Sequence, residues 1–360
     1  MPTRIAVSIV VPVRNDAATL DRVLAAIRAN NLPREEYELI VVDDSSTDNS
    51  ATIAARYADT VVRLSGRAGG PAYARNRGAE LAHGDMVAFV NPDVVVTPST
   101  FERLVEALSG NGNADAAAAA RDESAGSANF ASQYWNLLRS FGEEHHADSS
   151  ANLDSGCGIV RRSALTRIGM YDEWRFDSPS LEGLDLGRRL QSSGGEILRI
   201  ADLKVTYLNR WSFRAICDEV WKRSLTLARS FGYQHMSVAV PGEVVVTLTR
   251  AFAPALAVLG SATLTAAMVP RSFVLIRDVG VIVLVLLGNL PVHGFYARKK
   301  GVAFALVAAP VHLVIQGVAA LALCVGWLLR HAIGDRLPDA TTQAFSEVGL
   351  QTWPPLPRKI

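Results

Sequence analysis

Side chains able to do chemistry gather at a few short stretches of the first 210 residues. Asp43 and Asp44 stand in VVDDSS, Asn91 and Asp93 in VNPDV, and Glu182 and Asp185 in LEGLDL. Arg75 supplies a cation in GGPAYARNRG. An aspartate such as Asp44 suits hydrogen bonds to a base or ribose, and Arg75 suits a phosphate. Asp93 suits a hard divalent cation, Mg²⁺ or Mn²⁺, bridging a diphosphate. Glu182 and Asp185 lie three residues apart on one helix face. They read either as a catalytic base with its support or as acids that complement the helix dipole. Gly183 separates them. GxGxxG after the first strand and GxxxxGK[ST] are both missing, so the dinucleotide and P-loop readings lose their fingerprints.

Alternating elements must hold these groups. Residues 5–13 are a continuous apolar, β-branched run, as in a buried parallel strand. Asn15-Asp16 is expected to cap a helix from about 17 to 30. Strands follow at Glu38 to Val42, Thr60 to Arg63 and Met86 to Val90, with helices starting at Asp48 and near Pro71. This βαβα order predicts a doubly wound α/β sheet. Arg14, Asp43-Asp44 and Asn91/Asp93 then fall at carboxyl ends of strands, where such sheets bind ligands.

Composition changes along the chain. The formal net charge is +1 over 360 residues, which gives no bulk field favouring nucleic acid. Cys157, Cys217 and Cys324 lack disulfide or zinc spacing and read as packed thiols in a reducing compartment. The N-terminus lacks a signal-peptide pattern. Beyond residue 242 charges nearly vanish, and 251–270, 279–297 and 301–329 are each expected to cross a hydrocarbon core of about 30 Å. Arg298, Lys299 and Lys300 place the last loop in the cytoplasm by the positive-inside rule. Residues 1–240 then face the cytoplasm of a multi-pass plasma-membrane protein. Between the halves, 211–242 holds a basic amphipathic helix, read as interfacial or as packing on the soluble part.

The set VSIVVPVRN, ELIVVDDSSTDNS, GGPAYARNRGA, GDMVAFVNPDVVVTP, SGCGIVRRSAL, YDE and LEGLDLGRRL resembles family 2 glycosyltransferases of the GT-A fold. The motifs run in the family's order over about residues 5–210. The trailing apolar segments resemble members that glycosylate polyprenyl phosphates or other lipids. The resemblance implies domains at 1–210 (GT-A), 211–242 (juxtamembrane helix), 243–330 (membrane region) and 331–360 (tail). It implies that Pro12, Val13 and Arg14 line the nucleobase pocket, Asp44 bonds the base, Asp43 stands near the ribose and Arg75 near the donor phosphates. Asp93 matches the direct metal ligand, while Asn91 replaces the first acid of Asp-x-Asp. Arg210 and Trp211 match a pyrophosphate or lipid-acceptor contact, or simple packing.

The aspartate that usually deprotonates the acceptor corresponds to Gly183, so Glu182 is the nearest substitute and Asp185 the second. An already ionised phosphate acceptor needs no base. Tyr207 stands where relatives often carry His. The implied activity is transfer of a sugar from a UDP- or GDP-linked donor to a lipid-linked or polyprenyl-phosphate acceptor, by inversion. The alternative is a degenerate nucleotide-sugar-binding subunit of a membrane assembly. Either is compatible with a homo-oligomer.

Overall fold

A computed structural model of the chain describes residues 5–65, 69–145, 153, 156–173, 181–230 and 287–333. The apolar runs become strands. β1 is Val7–Val13, β2 Tyr37–Asp44, β3 Thr60–Leu64 and β4 Met86–Val90. Helices α1 (Ala17–Arg28), α2 (Ser50–Tyr57) and α3 (Gly70–Glu80) connect them. β1 lies between β2 and β4 and runs parallel to both; β3 extends the sheet beyond β2. Alternate residues feed opposite layers, as strand geometry requires. Val7, Ile9 and Val11 pack with Leu20, Leu24 and Phe101 on one side. Val10, Ile40 and Val42 pack with Ala72, Leu165 and Leu190 on the other.

The chain continues through β5 (Val94–Val95), α4 (Thr100–Gly110), β6 (Ala114–Arg121), α5 (Phe130–His145), β7 (Cys157–Arg161), α6 (Arg162–Arg167), α7 (Glu182–Ser192) and β8 (Glu196–Tyr207). The strand order is β3-β2-β1-β4-β7-β6-β8-β5. The expected doubly wound sheet is therefore a mixed one. β7 runs against both β4 and β6, while β6 and β8 are parallel. The reason lies in the connection. The chain leaves β6 at Arg121 and re-enters the sheet at Cys157, which pairs with Val90 at the same edge. A strand entering there can only run the other way.

The expected cap of α1 is also corrected. Asp16 makes no side-chain cap bond. The neighbouring loop does that work: Asp48 Oδ2 accepts from the Ala17 N–H and Ser50 Oγ from the Asp16 N–H, both at 3.0 Å.

Three more helices are described: α8 (Phe213–Ser230), α9 (Leu290–Lys300) and α10 (Val302–Ile333). α8 packs along α10. Its Ile216, Val220 and Leu227 point inward, while Arg214, Asp218 and Lys222 are exposed. Among the described residues one helix, Val302–Ala332, is long and apolar enough to cross a membrane. The expected span 251–270 lies outside the described residues. The expected span 279–297 is interrupted: a helix begins after Asn289, with Pro291 in its first turn. Proline has no N–H to give and suits that position. Gly301, at φ 90°, then separates α9 from α10. The thiols differ from expectation too. Cys157 is buried, but Cys324 is exposed on the outward face of α10.

Candidate active site

The carboxyl ends of β1, β2, β4 and β6 open into a cleft of about 450 Å³. Asn15 and Ser45, just after β1 and β2, adopt left-handed backbone angles of φ 57° and 61°. Such angles cost energy outside glycine and occur at functional turns. They are held by lacing between the two loops: the Thr47 N–H donates to Asn15 Oδ1 at 2.8 Å, and the Asn15 N–H to Ser46 Oγ at 3.0 Å. Pro12, Val13 and Arg14 thus line one end of the cleft.

Asp44 lies beside them, buried. Its two oxygens accept the Gly69 and Gly70 N–H groups, each at 2.9 Å. Gly70 sits at φ 87°, which explains the Gly-Gly pair: the loop must turn sharply to aim both amides at one carboxylate. Asp44 therefore anchors the start of α3, and its remaining lone pairs face the cleft. Asp43 does not line the cleft. It accepts the Ser46 N–H at 3.0 Å and lies 3.5 Å from Arg63.

α3 carries Arg75 inward. Its guanidinium is buried and bonds Glu182 Oε1 and Asn91 Oδ1, both at 3.0 Å. Its cation also lies 5.4 Å from the Tyr171 ring centre. One cation thus joins three motifs spread over 107 residues of sequence. Asp185 is different. It pairs with Arg189 at 2.8 Å along its own helix and does not line the cleft.

Asp93 reaches the cleft because β5 pairs with the end of β8. Val94 opposes Tyr207, and Asp93 Oδ2 accepts the Asn209 side-chain amide. Asn209 was not foreseen: it, rather than Tyr207, bonds the acid. The Arg121 guanidinium covers the Tyr207 ring at 3.4 Å from its centre. Trp211 lines the cleft, its N–H bonded to Ser132 Oγ at 2.7 Å, whereas Arg210 is exposed and does not.

The far wall was also unforeseen. It comprises Arg121, Trp135, Asn136 and Arg139, with Glu219 and Arg223 from α8. The missing signal was β6, whose alanine run has low strand propensity. Once β6 is known to run parallel to β4, Arg121 falls at the same edge as Asp93. The α5 residues recur at helical spacing and were readable as one stripe. This wall is basic. Arg121 and Arg199 share one carboxylate, Glu143, at 3.4 and 2.5 Å.

A divalent cation fits beside Asp93 on one condition. Among the described residues no three His, Cys, Asp or Glu side chains form a ligand cluster. Asp93 is a single buried carboxylate flanked by the neutral amides of Asn91 and Asn209. Magnesium-type ions are commonly held by one or two carboxylates when a diphosphate supplies further oxygens.

The fold and cleft define a class of α/β protein that binds ligands at the carboxyl edge of a mixed sheet. The model of glycosyl transferase family 2 matches residues 8–169 of the chain. The fold is GT-A-like. The mannosyltransferase PcManGT of Pyrobaculum calidifontis, solved with GDP-Man and Mn²⁺, superposes with a TM-score of 0.59 at 16% identity. That match covers 90% of this chain and 87% of the other. The glycosyltransferase AglE of Haloferax volcanii is 32% identical over 110 residues, 29% of this chain and 36% of AglE. A poly(ribitol-phosphate) beta-glucosyltransferase of Bacillus spizizenii is 35% identical over 92 residues, 24% of this chain and 14% of that protein. The chain thus spans about a third or less of these curated relatives.

Proposed function

We propose that the protein transfers a sugar from a nucleoside-diphosphate donor to a lipid-linked phosphate acceptor at the cytoplasmic face of a membrane. The observation that carries this reading is the meeting of Asp44, Arg75, Asn91, Asp93 and Glu182 in one cleft at the carboxyl edge. Residues 1–210 form the catalytic domain in this reading, and α8 and α10 join it to the membrane.

The nucleobase lies at Pro12, Val13 and Arg14, beside Asp44. Arg75 faces the donor diphosphate while holding Glu182 and Asn91. A divalent cation, Mg²⁺ or Mn²⁺, would be held by Asp93 and would neutralise charge on the leaving diphosphate. The acceptor enters along the wall of Arg121, Arg139, Arg223, Trp135 and Trp211. Three guanidinium groups there suit a phosphate.

The choice of a phosphate acceptor also follows from what α7 lacks. Gly183 has no side chain to take a proton. Glu182 is buried in an ion pair with Arg75, so protonating it leaves a buried cation without its partner. An acceptor that is already ionised needs neither. One direct displacement then inverts the anomeric centre.

The orientation is supported by Lys299. Its ammonium bonds Glu123 of the sheet domain at 2.6 Å, so the basic turn and the domain share one side.

The test is transfer itself. Purified protein in nanodiscs is incubated with radiolabelled UDP- and GDP-sugars, Mn²⁺ and polyprenyl phosphate. Label extractable into organic solvent is expected with one donor. Nucleotide-sugar binding with no label transferred supports a binding subunit, the second reading, which Gly183 favours.

A further inference from the structure

Helix α5 has two working faces. Ser132, Trp135, Asn136 and Arg139 look into the cleft. Tyr134, Leu137 and Phe141, the next stripe round, pack against α9 and α10. Inside that apolar contact runs a chain of polar groups. Tyr134 Oη lies 2.9 Å from His312 Nδ1, and His312 Nε2 lies 3.2 Å from Asn289 Oδ1. The Gln316 amide donates to Asn289 Oδ1 at 2.8 Å and accepts from Asn289 Nδ2 at 3.2 Å. All four residues are buried. Burial pushes the Tyr134 hydroxyl pKa up, so it remains an O–H donor. His312 Nδ1 then accepts, and its Nε2–H is left to donate to Asn289.

These groups are out of character for their surroundings. α10 is otherwise apolar around this point, Pro310 included. Such a helix slides by a turn at little loss, because one small apolar side chain replaces another. His312 and Gln316, one turn apart, prevent that. A slide strips their polar atoms of partners in an apolar contact, which is costly. Buried polar groups in apolar helix contacts are best attested as fixing register.

We propose that Tyr134, Asn289, His312 and Gln316 form a register lock. They are positioning residues that seat α10 on the back of α5 and so set the cleft wall formed by Trp135, Asn136 and Arg139. Acceptor affinity then depends on residues that never touch the acceptor. The assignment of that wall to the acceptor rests on the function proposed above; the lock itself does not.

The full chain in nanodiscs of phosphatidylcholine and phosphatidylglycerol allows the test. Tyr134→Phe removes one hydroxyl and keeps the ring, and Gln316→Leu cuts the far end. Hydrogen exchange is read over residues 130–142, with calorimetric titrations of UDP and GDP plus Mn²⁺ and, separately, undecaprenyl phosphate. Both variants are expected to speed α5 exchange and to weaken undecaprenyl phosphate binding about tenfold, the usual weight of one buried hydrogen bond. Nucleotide affinity is expected to stay at the wild-type value. The double variant should cost no more than the larger single, since both cut one chain. Wild-type α5 exchange in both variants overturns the lock. So does an equal loss of nucleotide and phosphate affinity. If the wild type binds no nucleotide, the function reading fails alone, and the exchange measurement still decides the lock.

Discussion

Arg75 ties one end of the cleft together. It is buried and bonds Glu182 and Asn91. Arg75→Met strands a buried carboxylate and should lower stability by about 3–5 kcal/mol. Arg75→Met with Glu182→Met should recover most of that loss, as a urea midpoint series reads directly. Additive costs would mean the two groups do not support each other. Asp93→Ala should abolish the metal dependence of UDP or GDP binding while the fold persists. Equal affinity with Mn²⁺ and with chelator would remove Asp93 from the metal site. Acidity gives a third test, at Arg77. Burial pushes Glu80 above its ordinary carboxylate range, countered by Arg77 and reinforced by Glu173. Burial raises Glu173 likewise. A raised folded pKa means the folded state holds the proton more tightly. That contribution is complete below the unfolded value and fades as pH rises through the folded one. Stability should therefore fall as pH rises above the ordinary carboxylate value and through the raised folded pKa of these two groups. Glu80→Gln should flatten that fall, and a pH profile with unchanged slope would dismiss it.

At the scale of elements, α3 is pressed hard onto the sheet. A Cβ on Gly78 would lie 2.3 Å from Val10 Cγ1. Valine has little rotamer freedom to yield. Gly78→Ala should cost about 1–3 kcal/mol through overpacking, and Val10→Ala in the same chain should relieve it. A thermal midpoint unchanged by Gly78→Ala would mean that α3 shifts freely, and Arg75 with it. The early elements were legible because their signals are local. β1, β2 and β4 are apolar β-branched runs, and Asp44, Asn91 and Asp93 sit at their ends. The later ones were not. β6 is five alanines in a row before Arg121, a pattern that local propensity assigns to a helix. It becomes a strand because β7 and β8 flank it, a tertiary fact. Asn209 was hidden likewise, since only the β5–β8 pairing brings it to Asp93. The direction of β7 followed from where the chain re-enters the sheet, which spacing alone does not encode. The apolar run 279–297 counted as one span because composition ignores where Pro291 falls.

For the molecule as a whole, the sheet domain, α8 and the α9–α10 pair are joined by apolar contact and by the Lys299–Glu123 bond. α10 exposes Leu306, Val314, Leu321 and Leu328 along its outer side. Such a stripe is out of place in water and at home against acyl chains. Lys299→Cys, in a Cys324→Ser background, should resist an impermeant thiol reagent in intact cells and react after permeabilisation. Labelling in intact cells would put the cleft outside, away from nucleotide-sugars.

The alanine strand has a consequence for how the chain is made. β6 pairs with β7 and β8, so Ala114–Arg121 has no sheet partner until those segments exist. A ribosome adding 5–20 residues per second takes roughly 4–17 s to go from Arg121 to Val205. Meanwhile β1 to β4 can already associate, leaving the edge of β4 open. A nascent valine or isoleucine strand left waiting beside that edge would recruit the same strand of another chain. Alanine is too small and too weakly β-forming to do so. The sequence feature that concealed β6 from a reader would equally conceal it from neighbouring chains on the polysome, until β7 and β8 arrive to claim it.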